Sequence, residues 1–303
     1  MSATEHLFTT REPVEDVIAR EEKQYWDDIE AAAELTVLKN ARFIFLAGPS
    51  CSGKTTTSFG LLKALRRRGL RTFVFSTDDF FFDEAHADRF EDGTPDYDAF
   101  SHTDSDYIRR VLAGLARGEK VVLPTFDFLH GRRAEETLTV DPSKFDVTIL
   151  EGIHALNDRV LDGLPPEEAR VCLYLNTTCG VRMEGSKGGF APEEVRLCRR
   201  IIRDYKHRGA SAEWSFALWV HVLESEKEIL TPFRRNAELI LSTDFSYEPA
   251  VARKEVSGLL SAVAPDSRWY GTAQGLLKKY EPFPLLPEAL VPENSVLQEF
   301  LAD

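Results

Sequence analysis

Residues 43–56 read Phe-Ile-Phe-Leu-Ala-Gly-Pro-Ser-Cys-Ser-Gly-Lys-Thr-Thr, and this stretch limits the fold more than any other. Five apolar residues run into Gly48, four residues separate it from Gly53, and Lys54 and Thr55 follow, satisfying G-x-x-x-x-G-K-[ST]. Such a pattern reads as a buried strand, a phosphate-binding loop and the start of a helix. Glycines let successive backbone N–H groups turn inward, and the helix start adds its partial positive charge beneath the phosphates. Lys54 is expected to reach the β- and γ-phosphates of a nucleoside triphosphate, and the Thr55 hydroxyl to ligate Mg²⁺. Gly48, Ser50, Cys51, Ser52, Gly53, Lys54, Thr55 and Thr56 make up the expected ATP cradle. A Gly-rich structural turn is the plainer alternative.

Around this loop the chain alternates. Strands are expected at Arg42–Ala47, Thr72–Ser76, Val121–Pro124, Val147–Glu151, Val171–Asn176 and Glu238–Ser242. Several are continuous apolar runs, as when both faces of a sheet are covered. Helical stretches lie at about Lys54–Arg68, Asp104–Arg117, Pro192–Lys206, Glu213–Leu230 and Glu248–Ala262. This order predicts a mostly parallel sheet flanked by helices. Residues 13–38 read as a helical leader, with apolar positions at Val17, Ile18, Tyr25, Ile29, Leu35 and Leu38. Pro282, Pro284, Pro287 and Pro292 predict an extended C-terminal tail packed on the domain.

A length of 303 residues suits one large α/β domain with appendages, or two small domains. The net charge of −13 argues against a protein that coats nucleic acid or anionic membrane, so any anion site must be local. The four cysteines show no C-x-x-C spacing and suggest neither zinc nor a disulfide framework; Cys51 reads as a free thiol. No apolar signal core opens the chain and no run reaches membrane-spanning length, so a cytoplasmic, reducing location is expected.

Three further segments carry candidate chemistry. Asp78 and Asp79 follow the strand ending at Ser76, where ligands bind in parallel sheets. A carboxylate there can orient or deprotonate an attacking hydroxyl and help hold hydrated Mg²⁺, although Asp-Asp also reads as a cap or turn. Val147–Glu151 ends in a carboxylate suited to Mg²⁺ beside the loop. Arg196, Arg199, Arg200 and Arg203 share one helix face, followed by Arg208. The face suits a solvated surface, a nucleic-acid patch or, as preferred here, a lid over phosphoryl groups. Pro124–Arg133 mixes Phe126, Phe128, Asp127, His130 and Arg133 in a loop fit either for an acceptor pocket or for a hairpin with a buried Phe pair. Tyr97, Asp98 and His102 are open to both readings.

Taken in order, the loop Gly48–Thr56, Ser76–Phe80, Tyr97-Asp98, Pro124–Arg133, Leu150–Gly152 and Arg196–Gly209 resemble the uridine kinase/phosphoribulokinase family across about residues 40–260. The chain is especially similar to bacterial uridine-kinase-like proteins that often follow a threonyl-tRNA-synthetase-like segment, through Pro124–Phe128, Gly152–Asn157, Arg203–Gly209 and the closing Pro292–Phe300. The resemblance implies an α/β P-loop NTPase three-layer sandwich with a mostly parallel sheet flanked by helices and a helical lid. It divides the chain into a leader (1–39), a kinase domain (40–265, lid about 180–212) and a C-terminal extension (266–303).

It implies ATP as donor, Mg²⁺ held by Thr55, Glu151 and Asp78, and catalysis by Asp78 as base with Lys54, Arg200 and Arg203. Asp79, Asp98, Phe126, His130, Arg133 and Arg208 fall to the acceptor, a nucleoside such as uridine or another polyol. Pyrimidine nucleoside kinases carry a tyrosine where Phe126 stands, and their base-contacting histidine aligns with Gly131, beside His130. A homo-oligomer is expected by resemblance; a membrane or nucleic-acid partner is not. The reading from another class is a nucleotide-dependent switch or RNA-associated NTPase.

Overall fold

In the computed structural model, residues 5–301 are described, except Leu129 and Glu167. The first four residues of the expected leader, Leu129 of the expected acceptor loop and the last two residues of the extension lie outside them. In chain order the elements are β1 (Glu5–Phe8), α1 (Val14–Leu38), β2 (Phe43–Ala47), α2 (Lys54–Arg67), β3 (Thr72–Ser76), α3 (Ser105–Ala116), β4 (Val121–Leu123), β5 (Phe126–Asp127), β6 (Arg132–Arg133) and β7 (Leu138–Val140). Then follow β8 (Val147–Glu151), α4 (Asp158–Leu161), β9 (Arg170–Asn176), β10 (Gly180–Met183), α5 (Pro192–Arg208), α6 (Ala212–Ser225), β11 (Leu239–Ser242), α7 (Glu248–Ser261), α8 (Tyr270–Tyr280) and α9 (Gln298–Leu301).

The sheet runs β11–β9–β2–β8–β3, every pair parallel. All residues of β2 and β8 are buried, so both faces need cover. On one face Ile44, Leu46, Ile149 and Leu173 pack with residues of α1, α2, α5 and α7; on the other Phe43, Phe45, Leu150 and Tyr174 pack with residues of α3 and α4. Those helices and the sheet are the three layers of the expected α/β sandwich. The register sets Glu151 level with Leu46 on one side and Ser76 on the other. Gly48, Asp78 and Glu151 therefore meet at one edge, beyond the carboxyl ends of the strands.

The leader is bound into this frame. β1 pairs in parallel with β10, and the α1 stripe of Ile18, Tyr25, Ile29 and Ala33 is buried. The Tyr25 hydroxyl lies 2.9 Å from Thr57 Oγ1 on α2. Three elements depart from expectation. Val121–Leu123 stays outside the main sheet and pairs antiparallel with β7, its short run leaving Val122 exposed. The helix expected over Glu213–Leu230 is α-helical to Ser225 and then widens into a π-turn at Glu226–Leu230. The extension holds α8, which buries Ala273, Leu276 and Tyr280, before the prolines, and α9 after them. Among the described residues no helix is long and apolar enough to cross a membrane.

Candidate active site

The phosphate loop is held from behind by α5 and its neighbours. Arg196 donates to the Ser50 carbonyl at 3.0 Å, Arg199 to the Cys51 carbonyl at 3.3 Å, and Thr243 Oγ1 to the Ser52 carbonyl at 2.8 Å. Three successive carbonyls are thus drawn away from the cleft. Each arginine is anchored by a buried carboxylate: Arg196 by Glu226 at 2.7 and 2.8 Å, Arg199 by Glu248 at 2.7 and 2.6 Å. Glu226, in the π-turn, also accepts from the Ser50 N–H at 2.9 Å, so the Arg196–Glu226 pair grips both backbone groups of Ser50. Gly53 takes φ +87° at the start of α2, a left-handed conformation that a side chain would resist.

In front of the loop opens a cleft of about 910 Å³. Ser50, Cys51, Gly53, Lys54, Thr55, Asp78, Glu151, Arg200, Arg203 and Arg208 line it. Gly48 and Ser52 shape the loop without lining it: a Cβ on Gly48 would lie 2.8 Å from the Leu175 carbonyl, and Ser52 is buried. A smaller hollow of about 490 Å³ lies at the opposite end of β3, around Leu70–Phe73 and Phe145, away from these groups.

Burial pushes the carboxyl groups of the cleft upward. Burial, reinforced by the charge of Asp78, pushes Glu151 up to about 7 against the pull of Lys54. Loss of water likewise raises Asp78, opposed chiefly by Lys54. Thr55 Oγ1 stands 3.5 Å from Glu151 Oε1. A hydroxyl and two carboxyl groups that resist ionising together are a donor set fitted to a hard divalent cation, which would relieve both penalties.

The cations opposite share one anchor. Asp204, with no exposed surface, pairs with Arg200 at 3.1 Å, Arg203 at 3.0 Å and Arg208 at 3.3 Å. Burial would raise Asp204, but Arg203, Arg200 and Arg208 outweigh it and hold the carboxyl low. Burial and the neighbouring Arg203 depress Arg208 in turn. Three guanidinium groups on a single carboxylate leave surplus positive charge that suits an anion.

The far wall of the cleft, expected to take the acceptor, is aromatic. Phe126 meets Phe81 edge-on at 5.7 Å and Phe128 at 5.1 Å, and Tyr97, Asp98 and Trp214 complete the wall. Desolvation pushes Asp98 up to about 6, with Arg200 opposing. Three expected acceptor residues do not face this wall. His130 is turned outward, its side chain 58% exposed and its Nδ1 2.7 Å from Asp127, because the turn between β5 and β6 presents Gly131 to the cleft. Arg133 donates to the carbonyls of Phe81 and Phe80 and pairs with Asp104, fastening the β3 end to α3. Asp79 accepts from the Phe126 backbone.

Residues 43–244, more than half of the chain, match the model of the phosphoribulokinase/uridine kinase family. The chain belongs to that family. The uridine kinase of Staphylococcus haemolyticus strain JCSC1435 is 28% identical over 215 residues, 71% of this chain and 93% of the relative. That of Staphylococcus carnosus strain TM300 is 29% identical over 209 residues, 69% and 90% of the two chains. The solved structure of a possible uridine kinase from Bacillus stearothermophilus has 18% identity and a TM-score of 0.48, covering 71% of this chain and 97% of that one. The chain is accordingly a P-loop kinase that phosphorylates a hydroxyl of a small molecule.

Several residues of the kinase site carry no local signal in the sequence. Asp204 lies within the arginine helix and reads there as an ordinary helical charge. Glu226 and Glu248 lie far in sequence from the loop they brace. Glu299, in the C-terminal turn, lines the cleft and accepts from Thr56 Oγ1 at 2.7 Å and from the Thr56 N–H at 3.3 Å.

Proposed function

We propose that the kinase transfers the γ-phosphoryl group of ATP to the 5′-hydroxyl of a nucleoside, with uridine the first candidate. The observation that carries this reading is Asp78: a carboxyl raised by desolvation, beside Lys54, in a cleft that joins the phosphate loop to an aromatic wall. Lys54 and the amides at the start of α2 hold the donor phosphates. Asp78 takes the proton of the acceptor hydroxyl as that oxygen bonds to phosphorus and the bond to ADP breaks. Arg200 and Arg203 stabilise the charge that develops on the moving group, and Asp204 keeps both aimed. Asp98 receives the sugar hydroxyls, and the rings of Phe81, Phe126 and Tyr97 flank a flat base. Thr55, Glu151 and Asp78 would hold Mg²⁺, which when bound neutralises the polyphosphate.

The relatives' description as uridine kinases supports the nucleoside. A sugar, sugar phosphate or other polyol is the second reading, favoured by Phe126, which lacks a hydroxyl, and by the outward His130. Against an RNA-associated switch stand the net charge of −13 and the burial of Arg196, Arg199 and Arg200, which leaves mainly Arg203 and Arg208 of that helix to face the cleft. Steady-state ADP release measured across nucleosides, pentoses and polyols tests the proposal. Uridine or cytidine should give the highest kcat/KM; a pentose or polyol preferred by tenfold or more would transfer the assignment to the second reading.

A further inference from the structure

The closing segment singled out in the sequence, Pro292–Phe300, has no part in the reaction above. Its side chains are nonetheless set firmly on the phosphate loop. Val296, Leu297 and Phe300 are buried, and the Arg199 guanidinium lies 5.3 Å from the centre of the Phe300 ring. A Cβ placed on Gly53 would come within 2.1 Å of Val296 Cγ2, so this segment lies directly on the loop glycine. The packing delivers one charge to the start of α2. Glu299 Oε2 accepts from both the N–H and the hydroxyl of Thr56.

Thr56 is the third residue of α2, and its N–H is among the helix's first four, which find no partner within the helix. Those are the donors a polyphosphate uses at such a loop. A carboxylate seated there holds a position that a phosphate oxygen would take, and two anions sharing one set of donors repel each other.

We infer that Glu299 is an internal competitor for the donor's phosphates: it accepts from Thr56 at the start of α2, and an arriving polyphosphate displaces it there, the turn Gln298–Leu301 releasing Thr56. This rests on the donor site proposed above. Glu299 acts by occupying a donor and touches no reacting atom, so it is a positioning residue.

The test is calorimetric titration of the full chain with Mg²⁺ and a non-hydrolysable ATP analogue, wild type against Glu299→Gln. The variant keeps the shape and loses the charge. It should bind about tenfold more tightly, with the acceptor KM unchanged. In parallel, hydrogen exchange over residues 295–301 of the wild type should quicken when the analogue is added; this arm stands even if the variant folds poorly. Equal or weaker binding by Glu299→Gln, or slower exchange on binding, would overturn the inference and leave the donor site standing. Absence of binding to both proteins would overturn the donor site and this inference with it.

Discussion

The two sides of the cleft are built by different means. The donor side stands on the ends of β2, β3 and β8, with the loop carbonyls fastened by Arg196, Arg199 and Thr243. The acceptor side hangs on a two-residue ladder between β5 and β6 and on short turns around Phe81, Glu84 and Phe100. The first presents mainly backbone and helix charge, which fit any polyphosphate; the second presents side chains, on which the proposed choice of acceptor rests. A frame of this kind keeps its reaction while its acceptor changes with a few ring and hydroxyl groups.

Substitutions on each side put that contrast to the test. The largest effect belongs to the residue where the two sides meet. Asp78→Asn should lower kcat by about 10³-fold or more with nucleotide affinity close to wild type. Retained turnover would remove Asp78 as the base. On the donor side, Arg203→Ala should lower kcat by about 100-fold with little change in acceptor KM. A pure KM effect in steady-state assays would place Arg203 with the acceptor instead. Across the cleft, Asp98→Asn should raise acceptor KM by about 10- to 100-fold and leave nucleotide binding intact. Loss of nucleotide binding in a direct titration would show that the division between the sides is wrong.

A stability measurement reaches the donor side without any substrate. The folded chain raises Glu151 from its ordinary 4.5 to about 7, so between those values the folded state binds more protons than the unfolded. Its share of stability is present below 4.5 and is lost as pH rises to about 7. Glu151→Gln should flatten that slope and gain on the order of 1–3 kcal/mol over wild type at pH 8 in denaturant titrations. Mg²⁺ should stabilise the wild type more at pH 8 than at pH 5. A slope unchanged by Glu151→Gln would assign it elsewhere. The smallest effect is expected at His130→Ala, within about twofold of wild-type kcat/KM, since the ring faces outward. A tenfold loss would bring His130 back to the acceptor.

The donor side is also the legible side. Glycine spacing and uninterrupted apolar runs announce a buried strand, a loop and a helix, because burial on both faces leaves no room for polar alternation. The expected Thr72–Ser76 and Val147–Glu151 coincide with β3 and β8. The braces behind the loop were hidden for a physical reason. Arginines at i, i+3, i+4 and i+7 normally mark a wet face; the distant Glu226 and Glu248 make the burial of Arg196 and Arg199 tolerable, and Asp204 that of Arg200 and Arg203. Arg199 is 1% exposed. The expected acceptor residues were half legible: Phe126 and Asp98 line the cleft, whereas Arg133 and Asp79 serve the backbone, a distinction that residue type does not make. Glu299 was out of reach, since a segment following four prolines has no period from which its packing could be read.

The measurement that bears most directly on the whole account is the fate of the terminal phosphate. With ATP labelled at the γ-position, Mg²⁺ and uridine, the wild type should place the label on the nucleoside and release ADP in equal amount, while Asp78→Asn binds ATP and transfers none. Label that emerges as inorganic phosphate at the same rate with and without any acceptor hydroxyl would contradict it.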